Sequence, residues 1–199
     1  MGNIEFVDLG LSVKWANTNL GAEHEYDYGD YYMWGSTTPN NDDKCSWATC
    51  PFNNGSSSYY ADYFASVEDT VCPDGILASD YDAVYQATNG KAHIPTQEQI
   101  QELIDGTDNE WVEDYNGTGI NGYKFVNKTD SSKFIFIPAS GYRSSSYFSG
   151  QGSLGYVWSS SLRTNTPYFA WYLYFNSDYT KINYGFYRYF GYTLRGVSE

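Results

Sequence analysis

Hydrophobic and polar positions alternate along much of this chain, and the period of alternation changes in a way that predicts its elements. Residues 4–16 read as strand-rich, with Val13 and Trp15 set against Ser12 and Lys14. The run Gly29-Asp30-Tyr31-Tyr32-Met33-Trp34-Gly35 reads as a short strand between glycines. From Ser36 to Ser58 the chain is polar, rich in Asn, Asp, Ser and Thr, which is surface-loop chemistry. Two helices are predicted. Ser79 caps one that runs to about Thr88 and stops at Asn89-Gly90. Thr96 and Gln99 have the spacing of a capping box for the other, with Ile100, Leu103 and Ile104 on one face and Asp105-Gly106 as its end. Strands then resume. Gly122 to Val126 leads into Phe134-Ile135-Phe136-Ile137, a continuous apolar run expected to be buried on both faces and ended by Pro138. Two helices among short antiparallel strands define an α+β domain, and with neither linker nor repeat the whole span 1–199 reads as one domain.

The strongest alternation lies near the C-terminus. In Phe169-Ala170-Trp171-Tyr172-Leu173-Tyr174-Phe175, one parity carries Phe169, Trp171, Leu173 and Phe175. The other carries Tyr172 and Tyr174, expected to point away from the core. Between Tyr156 and Tyr192 stand nine Tyr, four Phe and two Trp, with only four charges. A strand that exposes Tyr resembles the contact surface of a binding protein, because Tyr offers area, a hydrogen-bonding tip and little rotamer entropy to lose. From Tyr184 to Tyr192 the rings occupy both parities, so one buried face cannot hold them all. Tyr142 and Tyr156 are more readily read as ordinary strand tyrosines.

Composition narrows the function. Aromatics are 20% of the chain and aliphatics few, so the core is expected to be built from rings. A net charge of −13 argues against nucleic acid as a partner, since phosphate binding needs clustered Lys and Arg, and equally against an anionic membrane surface. No apolar run has membrane-spanning length, and no secretory signal is read at Met1-Gly2. Cys45 and Cys50 are close enough in sequence to bridge in an oxidising compartment, though the spacing does not require it. With only His24 and His93, far apart, no metal motif or nucleophile–base pair is evident. Ser144–Ser146 and Ser159–Ser161 lack a nucleophile-elbow context, and the acidic pairs lack the density of a calcium loop. Neither catalytic residues, metal nor cofactor are expected.

Several blocks carry a family resemblance. Asp8-Leu9-Gly10-Leu11-Ser12-Val13-Lys14-Trp15-Ala16 resembles the opening motif of the Fibrobacter succinogenes major paralogous domain. Tyr28-Gly29-Asp30-Tyr31-Tyr32-Met33-Trp34-Gly35, Ile94-Pro95-Thr96, Asn121-Gly122-Tyr123-Lys124 and Ile137-Pro138-Ala139-Ser140-Gly141-Tyr142-Arg143 continue it. Trp158-Ser159-Ser160, Leu173-Tyr174-Phe175 and Leu194-Arg195-Gly196-Val197 close it, so the likeness spans nearly the whole chain. The resemblance implies a C-type-lectin-like fold of the branch shared with formylglycine-generating enzymes. The catalytic cysteines of those enzymes lie near the C-terminal end, and this chain has none after Cys72. The iron-binding His cluster of the sulfoxide synthases and the sugar-binding motifs of calcium-dependent lectins are missing as well.

Within that fold the chain resembles the variable proteins of diversity-generating retroelements, in which a C-terminal segment is rewritten at template adenines. The resemblance implies a variable region over 156–197. Its framework would be Trp158, Ala170, Trp171, Leu173, Phe175, Ile182, Arg188, Gly191, Leu194 and Arg195, with Arg188 and Arg195 tying the loop to framework acids. The ligand-binding positions would be Tyr168, Tyr172, Tyr174, Tyr179, Lys181, Asn183, Tyr184, Phe186, Tyr187, Tyr189, Phe190 and Tyr192. All but Lys181 are reachable from one Asn codon. The expectation is a non-catalytic receptor-binding or adhesin protein of a cell surface, the extracellular space or a virion tail fibre. Its partner would be a protein or glycan on a cell surface. The competing expectations are a structural subunit of a pilus or phage fibre, or a glycan-binding lectin.

Overall fold

The computed structural model describes residues 4–41, 44–145 and 147–199, with every side chain among them except those of Tyr184 and Gly185. In chain order the elements are β1 (Phe6–Val7), β2 (Lys14–Asn19), α1 (Ala61–Val71), α2 (Ala83–Ala87) and α3 (Gln97–Gly106). They continue with β3 (Thr107–Val112), β4 (Gly122–Asn127), β5 (Phe134–Pro138), β6 (Ser140–Ser144) and β7 (Tyr147–Gln151). The last are β8 (Gly155–Leu162), β9 (Phe169–Phe175), β10 (Thr180–Tyr187) and β11 (Arg195–Ser198). All strand pairs are antiparallel, in sheets ordered β1-β2-β11, β10-β9-β8, β3-β4-β5 and β6-β7. The fold is α+β.

The local signals with a mechanism behind them are realised. Thr96 Oγ1 accepts from Gln99 N at 3.3 Å, and the Gln99 side chain accepts from Thr96 N at 2.8 Å. Two donors at the start of α3 are thereby satisfied, and Ile100 and Leu103 are fully buried. In β5, Ile135, Phe136 and Ile137 are all buried, as a strand covered on both faces requires. Val13 and Trp15 are buried, with Lys14 between them exposed.

Three expectations are corrected. The predicted helix from Ser79 is a 3₁₀ turn over Ser79–Tyr81 followed by α2, whose cap is Asp82: its carboxylate accepts from Tyr85 N at 2.9 Å. A third helix, α1, rises directly from the end of the polar stretch; it has no side-chain cap, but Phe64, Val67 and Val71 give it an apolar face. The Gly29–Gly35 segment is not a strand. Only Tyr32 pairs, in an isolated bridge to Tyr192. Side-chain amides replace the ladder there: Asn41 Oδ1 accepts from Tyr31 N and Asn40 Oδ1 from Met33 N, each at 2.9 Å. A run that buries Tyr31, Tyr32, Met33 and Trp34 on every side needs no sheet to be stable.

In the sheet β10-β9-β8, β8 and most of β9 are covered on both faces, and β10 is the exposed edge. One face (Val157, Leu173, Phe175, with Ile182) packs into a core shared with Trp15, Leu103 and Ile135. The other (Tyr156, Trp158, Ala170, Tyr172) packs into a core with Trp34, Phe64, Tyr192 and Leu194. Gly155 admits this packing: a Cβ there would lie 2.0 Å from the Phe175 ring.

Candidate functional site

Alternation along β9 separates the two faces as expected, but it does not separate core from solvent. Tyr172 is only 1% exposed. The physical reason is the chain after β10, which folds back across the tyrosine face. Tyr192 lies with its ring 4.1 Å from Trp158, 4.8 Å from Tyr156 and 5.1 Å from Tyr172. Tyr192 is fully buried and Phe190 nearly so. Tyr172, Phe190 and Tyr192 are therefore core residues, not members of an exposed contact face. Burial pushes the phenols of Tyr156, Tyr172 and Tyr192 well above their ordinary range, so they stay protonated.

Toward the far end of the same strands the face opens. Tyr174 is half-buried, and Lys181, its partner across the β9–β10 pair, is exposed. Lys181 Nζ stands 5.1 Å from the Tyr179 ring centroid and 5.8 Å from that of Tyr174, so the cation is held over two rings. Asn183 is half-buried opposite Tyr172. A register shift between Asn183 and Phe186 then brings Phe186 opposite Ala170 and Tyr187 opposite Phe169. This bulge explains why the rings after Tyr184 occupy both parities. Phe186 and Tyr187 are exposed, and Tyr168 and Tyr189 half-buried. The side chain of Tyr184 lies outside the described residues.

Tertiary structure adds rings that sequence reasoning left out. Trp47 and Tyr59, from the polar stretch, stand 5.3 Å apart. Trp47 meets Tyr187 at 5.8 Å and Tyr189 at 5.2 Å, and Tyr59 meets Tyr168 at 5.5 Å. Residues 45–60 are therefore a platform, organised by the fully buried Asn53. Its amide donates to Trp47 O, Ser56 O and Ser58 O at 2.9–3.0 Å and its oxygen accepts from Tyr60 N at 2.8 Å. The β6–β7 hairpin adds Tyr147, 74% exposed, and Phe148, whose ring packs edge-on against Tyr31 at 5.2 Å. Arg143 Cζ stands 5.2 Å from Phe148 and 5.5 Å from Tyr31. Gly141 makes the hairpin possible, since its φ is +63° and a Cβ would lie 2.2 Å from Ser149 O. The available signal for these residues was large rings, single at Trp47 and adjacent at Tyr59-Tyr60 and Tyr147-Phe148, set in or beside polar runs.

The two framework arginines bond to backbone carbonyls instead of acids. Arg195 Nη1 and Nη2 donate to Ala16 O at 3.0 Å and Phe136 O at 2.8 Å, joining β11 to β2 and β5, and burial pulls its pKa down to about 9. Arg188 is fully buried with its guanidinium 4.1 Å from the Phe64 centroid and within 5.8 Å of Trp34, Trp47 and Tyr59. Its Nε donates to Pro167 O at 2.7 Å, while Nη1 and Nη2 make no hydrogen bond of normal geometry among the described residues. Burial lowers its pKa. The cation thus pins the Tyr187–Tyr189 turn onto α1 and the 45–60 platform.

Cys45, Cys50 and Cys72 are buried thiols, none in a disulfide. Burial raises Cys50 and Cys72 to about 12, which makes both poor nucleophiles at neutral pH. Among the described residues no group of three or more His, Cys, Asp or Glu is placed to hold a metal ion. No described helix is long and apolar enough to cross a membrane. No family model matches this chain, and no curated protein and no solved structure matches it.

Proposed function

We propose that this chain is a non-catalytic ligand-binding protein, a receptor-binding or adhesin module that works through an aromatic surface. The observation that carries the reading is the set of partly exposed rings flanking β10: Trp47, Tyr59, Tyr168, Tyr187 and Tyr189 at one end, Tyr174 and Tyr179 with Lys181 over them at the other, and Phe186 beside Tyr187. A protein surface seldom keeps this much aromatic area in water without a partner, and a few rigid rings dominate affinity at such interfaces. Charge supports the same reading. Residues 131–199 hold six cations (Lys133, Arg143, Arg163, Lys181, Arg188, Arg195) against Asp178 and Glu199, in a chain of net charge −13. Lys181 is the exposed cation of the band, and it lowers repulsion from an acidic cell surface.

The scaffold, on this reading, is a C-type-lectin-like domain of the formylglycine-generating-enzyme branch, and residues 156–197 are a segment diversified by a retroelement. The partner is a protein or glycan on a cell surface, met from a cell surface or virion. Tyr179, Lys181, Phe186 and Tyr187 are the contact residues, with Tyr168, Tyr174, Asn183 and Tyr189 supporting them.

The test is adherence of the fluorescently labelled protein to a panel of bacterial cells, untreated, proteinase-treated or periodate-treated. Replacing Tyr179, Phe186 and Tyr187 together by Ser should cut adherence by on the order of 100-fold. The three rings are 37–44% exposed and partly packed, so the melting temperature should fall, with cooperative unfolding retained above the assay temperature. Adherence equal to that of the parent protein would overturn the assignment. A near-copy of the codons for 156–197, enriched in Asn codons and adjoining a reverse-transcriptase gene, is the expected genomic signature of diversification.

A further inference from the structure

Trp171 stands on the β9 parity opposite Tyr172 and Tyr174, beside Leu173 and Phe175, yet it is half-buried where those two are fully buried. It walls an open cavity of about 470 Å³ that the aromatic band does not use. The rim carries Asp74, Gln97, Glu98, Arg163 and Asn165. These are planar groups that donate or accept hydrogen bonds, around one flat apolar wall.

The cavity is held open by backbone pairing. Ile76 bridges to Ser161, and Leu77 N donates to Ser160 O at 2.9 Å. Gln97 N donates to Ser161 Oγ at 2.9 Å, and Ser161 N to Ser159 Oγ at 3.1 Å. Ser161, the one residue of the buried Ser159-Ser160-Ser161 run of β8 that lines the cavity, thereby ties the start of α3 to β8. The wall formed by residues 74–76 turns through two successive left-handed residues, Asp74 at φ +56° and Gly75 at φ +77°. A Cβ at Gly75 would lie 2.9 Å from Thr164 Cγ2, so glycine sets the spacing of the two walls.

We infer that this cavity binds a neutral saccharide, with Trp171 as the stacking wall and Asp74, Glu98, Asn165 and Arg163 as hydrogen-bonding partners of the hydroxyls. The volume falls in the range of small-ligand sites, which pair apolar walls with a few convergent polar groups. Two carboxylates against one guanidinium disfavour phosphorylated or sialylated ligands. A polyhydroxyl ligand needs donors and acceptors side by side, and a planar ring matches the apolar face of a pyranose. The lining of the cavity shares no residue with the aromatic band, so either assignment can fail alone.

The experiment is a ¹⁵N-NMR titration of the whole chain with maltose, lactose, cellobiose and chitobiose, with sialyllactose as the anionic comparison. The Trp171 indole N–H is assigned from Trp171→Phe. At least one neutral disaccharide should move that signal, with the Tyr179 and Tyr187 backbone amides unmoved. Trp171→Phe should keep most of the affinity, and Trp171→Ala and Asn165→Ala should each lose about tenfold. Asn165 is exposed, so its variant keeps the fold and carries the comparison if Trp171→Ala does not fold. No movement of the Trp171 signal with any neutral sugar, equal binding by Asn165→Ala, or a response to sialyllactose in place of the neutral sugars would each overturn the inference.

Discussion

Tyr192 separates two accounts of the tyrosine-rich tail. As a contact residue it would tolerate truncation; as a core residue it would not. Its ring is fully buried among Trp158, Tyr156, Tyr172 and Phe190, and its hydroxyl is buried with no hydrogen-bond partner among the described residues. Replacing Tyr192 by Ala removes a whole buried ring, and such truncations cost about 3–5 kcal/mol. For a chain of this size each kcal/mol moves the melting temperature by about 2–4 °C, so the fall should be about 6–20 °C. Tyr192→Phe deletes only the unpaired hydroxyl, whose burial costs about 1–3 kcal/mol. That variant should match the parent or exceed it by about 1 kcal/mol. Calorimetry and urea denaturation with an unchanged m-value are the assays. The reasoning is refuted if Tyr192→Ala melts within a degree or two of the parent. It is refuted equally if Tyr192→Phe loses more than about 1 kcal/mol, because the hydroxyl would then have a partner.

Two further outcomes follow from buried charge. Arg188→Met should keep or raise stability, since an apolar side chain of similar length avoids burying a cation, whereas Arg188→Ala should lose about 2–5 kcal/mol through the cavity against Phe64. Urea denaturation distinguishes them, and a large loss in the Met variant would assign a bonding partner to Nη1 and Nη2, with the Tyr59 hydroxyl the first candidate. Asp82 is buried, and desolvation outweighs the bonds from Tyr85 N and Ile94 N, raising its pKa above 3.8. The folded state then holds this proton to higher pH than the unfolded state does, so the contribution of Asp82 to stability falls as pH rises from 3.8 through its folded value. Asp82→Asn should remove that pH-dependent component, and a parent-minus-variant stability difference that is flat between pH 3 and 7 would contradict the sign.

Elements specified within a few residues were legible from the sequence. The capping box at Thr96 and Gln99, the apolar face Ile100–Leu103 and the doubly buried β5 rest on local geometry, and folding left them as predicted. Local signals failed where the backbone found partners far along the chain. Gly29–Gly35 carries the residues of a strand, but Asn41 and Asn40 take the donors of Tyr31 and Met33, Leu20 O and Arg188 O take those of Asp30 and Trp34, and Tyr192 supplies the one bridge. The helix α1 has its apolar positions in the sequence, at Phe64, Val67 and Val71, but lacks a capping side chain to announce it.

The aromatic band shows the same division most plainly. Sequence alone established that the tail carries more rings than one face of one strand can bury, and it placed Tyr172 and Tyr174 on one side of β9 and Leu173 and Phe175 on the other. It could not decide which side meets water, because parity reports faces and both faces of β9 are covered over most of their length. That choice belongs to the segment from Arg188 to Leu194, which crosses the tyrosine face, buries Tyr172 under Tyr192 and leaves Tyr174 at the open edge. Trp47 and Tyr59 join the band through contacts spanning more than a hundred residues of sequence, held by Asn53 and the caged Arg188. Periodicity is a property of neighbours along the chain, whereas exposure is set by whichever distant segment packs on top.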